Sequence, residues 1–174
     1  MRWGTSMTMF PMRRLDIYLN DHLAGSMLGV ELSRRALGSN RGTELGQFLE
    51  WLHAEIVSDR RTLQAVMKRL GVDGSPVKPA AAWALEKVGR FKLNGQVRGY
   101  SPLSPLLELE ALEAGVSGKR SLWEVLSTAF PADERLQDFD FAALVARAEH
   151  QLSGIGEQRR TAALNAFSEP AAAA

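Results

Sequence analysis

A chain of 174 residues, 45% hydrophobic and 24% charged, is long enough to bury one sizeable core. Its net charge of +1 lacks the basic excess of a dedicated nucleic-acid binder, and the absence of cysteine excludes disulfides and thiolate metal sites. No apolar run approaches the roughly 18 residues that span a bilayer, so a protein without membrane or nucleic-acid partners is expected, and a cytoplasmic home suits the missing cysteines.

The first segment, residues 1–13, lacks the apolar centre of a signal peptide and reads as a loose leader ending at Pro11. A single helical-bundle domain is expected over residues 14–167, followed by a disordered tail over residues 168–174. The first helix is predicted over residues 14–37, stopped by Gly38. Leu15, Leu19, His22, Ser26, Gly29 and Ser33 form a stripe of largely small residues on it, with Leu23 and Val30 alongside. Small side chains there predict the close approach of another helix.

Ser39, Asn40 and Thr43 are candidate N-caps for a second helix over residues 44–70, with Gly71 at its C-terminal end. Leu45, Leu49, Leu52, Ile56, Leu63, Val66 and Leu70 recur at steps of three and four. They form one apolar stripe of about seven turns, broken only by Asp59. A carboxylate at a core position costs several kcal/mol unless it is paired or bound to metal.

Residues 72–79 are a Gly/Ser/Pro-rich connector, and a short helix is predicted over residues 80–92. The next helix begins after Ser101-Pro102 and reaches Ala129, with Gly115 and Gly118 as points where it bends or splits. Leu109, Val116, Trp123 and Phe130 form its stripe. One flanking row is Glu113, Arg120 and Ser127, and the other is Leu112, Lys119 and Leu126. The last helix is predicted over residues 139–167. Its stripe is Phe141, Val145, Ala148, Leu152, Ile155, Ala162 and Ala166, with Arg159 in the seam.

Four long helices and one short one predict an all-α four-helix bundle. The segment 72–101 is too long for a tight hairpin, and one long central connection is the ferritin-like topology. The runs NDHLAGSMLGVELSRR, DRRTLQAVMKRLGV, KLNGQVRGYSPLSPLLELE and GKRSLW resemble an uncharacterised family of small bacterial ferritin-like helical proteins. The resemblance covers about residues 15–167. It implies the ferritin-like fold, with the short helix in the central crossover, and attaches no activity to it.

A ferritin-like di-iron centre draws a Glu from each of two helices and Glu-x-x-His from each of the other two. This chain has one match, Glu50-x-x-His53. Glu149 and His150 are adjacent and diverge by about 100° on a helix, and the residue three before His150 is Arg147. No standard di-iron site is expected. The polar residues in core or near-core rows are Asp59, Glu113, Arg120 and Arg159, with His22 beside them. A buried ion-pair cluster with Asp59 held by Arg120 or Arg159 is the expectation, since arginine binds carboxylate bidentately and keeps its charge. A mononuclear metal on His22, Asp59 and Glu113 is the competing use of the same residues.

Arg90, Lys92 and Arg98 surround Asn94-Gly95 and form a candidate anion contact, weighed against a solvated loop. Trp51 and Trp83 are either core or interface anchors. No P-loop, dinucleotide fingerprint or nucleophile elbow is present. The reading is therefore a helical bundle without a catalytic constellation or cofactor, whose metal site has been lost and which binds a protein partner or itself. The alternatives are a carboxylate–histidine metalloprotein, acting as a metal-dependent oxidoreductase or a storage protein, and a small-ligand binder using the space near Gly25, Ser26 and Gly29.

Overall fold

The structure, a computed structural model, describes residues 9–74 and 100–168, and of residues 9–12 the backbone alone. Four long helices account for most of it: α1 Met9–Ser39, α2 Glu44–Leu70, α3 Ser104–Ala129 and α4 Phe141–Phe167. One 3-10 turn, Glu134–Leu136, precedes α4, and the described residues contain no strand. No helix among them is long and apolar enough to cross a membrane.

Helix α1 already includes Met9 to Arg13, ahead of the expected start at Arg14. Helix α4 starts two residues later than expected, because the Asp140 side chain caps it by accepting from Ala143 N at 2.9 Å. Helix α3 runs unbroken through Gly115 and Gly118. The predicted short helix over residues 80–92 and Trp83 lie outside the described residues.

Thr43 is the N-cap of α2, its hydroxyl accepting from Gly46 N at 3.0 Å. Gly46 has to be glycine, because a Cβ there would sit 2.1 Å from Asn40 O in the tight α1–α2 turn. At the other end Gly71 takes φ 72°, and Val72 N donates to Met67 O at 2.9 Å in a Schellman closure. Asn40 donates to the Tyr100 hydroxyl at 2.6 Å, and Tyr100 donates to Glu108 at 2.7 Å, pinning the end of α1 to the start of α3.

Helix α1 packs on α2 and α3, and α3 on α4. The apolar core divides into two clusters. Leu32 and Ala36 of α1, Leu49 and Leu52 of α2, Leu106 and Leu109 of α3, and Ile155 and Ala162 of α4 meet at one end. Leu15 and Leu19 of α1, Leu63, Val66 and Leu70 of α2, and Leu122, Trp123 and Leu126 of α3 meet at the other, with the start of α4 against them. These memberships fix the directions: α1 and α4 run one way, α2 and α3 the other. Helices α2 and α3 are therefore parallel.

Candidate functional site

Asp59 stands between Ile56 of one cluster and Leu63 of the other, and it is 3% exposed. Its carboxylate accepts from the Lys119 ammonium of α3, the Arg147 guanidinium of α4, and Gln151 Nε2 of α4 at 3.1 Å. Lys119 also donates to Gln151 Oε1. Glu55, one turn before Asp59, lies 3.7 Å from Arg147 Nε and 3.4 Å from Gln151 Nε2. Two carboxylates, two cations and one fully buried amide thus form a neutral polar layer between the apolar clusters. Burial pulls the Lys119 ammonium below its ordinary pKa, with Asp59 pulling in the opposite direction.

The buried, ion-paired state of Asp59 is the one read from the sequence, but its partners are different residues. Arg120 pairs with Glu124 on its own helix at 3.4 Å, and Arg159 pairs with Glu113 at 3.2 Å in a half-exposed bridge. The reason is the rotation of α3. Its core seam lies between the row Leu109, Val116, Trp123 and the row Leu112, Lys119, Leu126, all buried except Lys119, whose side chain is 16% exposed. The row with Glu113 and Arg120 is turned outward. Gln151, 0% exposed, was readable from its spacing, four residues from both Arg147 and Ile155.

Glu50 is exposed, while His53 Nδ1 is engaged with the hydroxyl of buried Ser33 at 2.8 Å, so Glu50 and His53 are not a joint chelate. His22, half-buried, stacks edge-on to Tyr18, with ring centroids 4.6 Å apart, and burial lowers its pKa against the pull of Asp21. Among the described residues no group of three or more His, Asp or Glu side chains is placed to hold a metal. Asp59 and Glu113 are each committed to cations. Trp51 is half-buried between Phe48 and His150, with ring centroids at 5.5 and 5.2 Å. Arg90, Lys92 and Arg98 lie outside the described residues.

The small-residue stripe of α1 seats α2 at Ser33, whose hydroxyl meets His53 Nδ1, and at Gly29, which faces Ile56. Beside it, glycines of α1 and α3 leave space unfilled. A Cβ added at Gly25, Gly115 or Gly118 would meet nothing within 4 Å, and one at Gly29 only Ile56 at an ordinary 3.7 Å. The space they leave is a cavity of about 450 Å³ between α1, α2 and α3. Its wall is apolar over Leu32, Ile56, Leu63, Leu112, Val116 and Trp123. Polar groups enter at Asp21, His22 and Arg60, and at Asp59 and Lys119 of the buried layer.

No known protein family matches this chain, and no curated protein and no solved structure matches it either.

Proposed function

We propose that this chain is a ferritin-like four-helix scaffold that binds a small, largely apolar molecule in the cavity between α1, α2 and α3. The ferritin-like assignment is supported by the parallel α2 and α3 and the long connection between them. The binding role rests on one observation, the 450 Å³ apolar cavity that opens at the helix glycines. That volume lies within the ~300–1,000 Å³ of small-molecule sites, and its mix of apolar wall and few polar groups is theirs too. Polypeptide interiors are close-packed, so glycines that face open space across two helices leave room that packing does not require.

The test is displacement of a fluorescent apolar probe, compared between the natural chain and Gly118→Leu, which fills the cavity. Saturable one-to-one probe binding lost in Gly118→Leu is expected. Equal binding by the two proteins places the probe elsewhere and ends this reading.

A further inference from the structure

We infer that the cavity selects a neutral molecule carrying a hydrogen-bond-acceptor oxygen, a ketone, ester or ether, and that Lys119 is the residue that reads it. The inference rests on the cavity being a binding site.

Charge is the first observation. The ionised groups of the wall, Asp21, Asp59, Arg60 and Lys119, sum to zero. The buried layer is separately balanced, Asp59 and Glu55 against Lys119 and Arg147. Asp59 and Lys119 are spent on the layer, and Asp21 and Arg60 offset each other in net, so an ionic ligand would bring into an apolar cleft a charge that the wall as a whole does not balance.

Unspent hydrogen-bonding capacity is the second. A lysine ammonium has three N–H donors. Two of those of Lys119 go to Asp59 and Gln151, and among the described residues the third has no partner. The lysine ammonium is a donor-only group. A buried orphan donor costs about 1–3 kcal/mol and is relieved by an acceptor, never by a second donor. At roughly 30 Å³ per water-sized group, 450 Å³ admits about 15 such groups, so one or two oxygens would sit in a molecule that is otherwise carbon.

The experiment uses four probes of one skeleton: butylbenzene, butyrophenone, phenylbutyrate and phenylbutylamine. Their binding to the full chain is measured by calorimetry, then repeated with Lys119→Met. Butyrophenone should bind about tenfold tighter than butylbenzene, as a hydrogen bond to a charged donor allows, and tighter than either ion. In Lys119→Met the ketone should lose that advantage while butylbenzene keeps its affinity. Asp59→Asn with Lys119→Met, which leaves Glu55 and Arg147 balanced, is the second variant should the single change not fold. If butylbenzene and butyrophenone bind alike, or their ratio survives loss of Lys119, the acceptor role falls while the cavity reading stands. Tightest binding of phenylbutyrate or phenylbutylamine overturns neutrality. Binding of none of the four ends both readings.

Discussion

Replacing Asp59 by alanine removes the shared acceptor of Lys119, Arg147 and Gln151 in one step. Two cations would then face one carboxylate inside the bundle. Breaking a buried pair this way costs about 3–5 kcal/mol, so Asp59→Ala should shift the urea midpoint far more than Glu50→Ala, whose side chain is exposed. Asp59→Leu combined with Lys119→Met leaves Arg147 with Glu55 and should recover most of the loss. His22 gives a smaller, pH-dependent signature. Burial lowers its pKa from the ordinary 6.5, so the unfolded chain takes up a proton first as pH falls. Stability should decline as pH drops from about 6.5 towards the folded-state value, with Asp21 moderating the decline. His22→Gln should flatten that part of the profile in melts run at a series of pH values.

At the scale of helices, the glycines of α1 and α3 are the informative positions. A mid-helix glycine costs about 1 kcal/mol relative to alanine, and at Gly25, Gly115 and Gly118 an added methyl meets no atom. Each of these positions changed to alanine should raise stability by up to about that amount in denaturant titrations. A net loss would mean that the methyl strains the helix after all. The same helices show what the sequence can and cannot reveal. The α2 stripe, the Thr43 and Gly71 caps and the burial of Asp59 follow from local spacing and backbone chemistry, which a single segment contains. The partners of Asp59 depend on how α3 and α4 are rotated about their axes. On α3 both flanking rows carry a cation, Arg120 in one and Lys119 in the other, so spacing alone could not choose between them. The small residues of α1 likewise allow both a seated helix, as at Gly29 and Ser33, and a hollow, as at Gly25. Only the arrangement of all the helices decides.

Across the whole molecule, the cavity links occupancy to stability. A ligand that binds only the folded chain adds about 2.7 kcal/mol at a hundred times its Kd, so the melting temperature should rise with ligand concentration and stay level in Gly118→Leu. The polar layer has a further consequence, for the order in which the bundle assembles. Helices α1 and α2 meet through a four-residue turn, and α3 and α4 through a shorter connection than the one between α2 and α3, so each pair can form locally before the two pairs dock. Both carboxylates of the layer, Glu55 and Asp59, belong to the first pair, and both cations, Lys119 and Arg147, to the second. The two half-bundles therefore meet with opposite charges on their facing surfaces. Only a register that brings Asp59 between Lys119 and Arg147 leaves none of them stranded. If these bonds close after the rate-limiting step, Asp59→Asn should speed unfolding while leaving the refolding limb of a chevron nearly unchanged; a slowed refolding limb would put docking at the barrier itself.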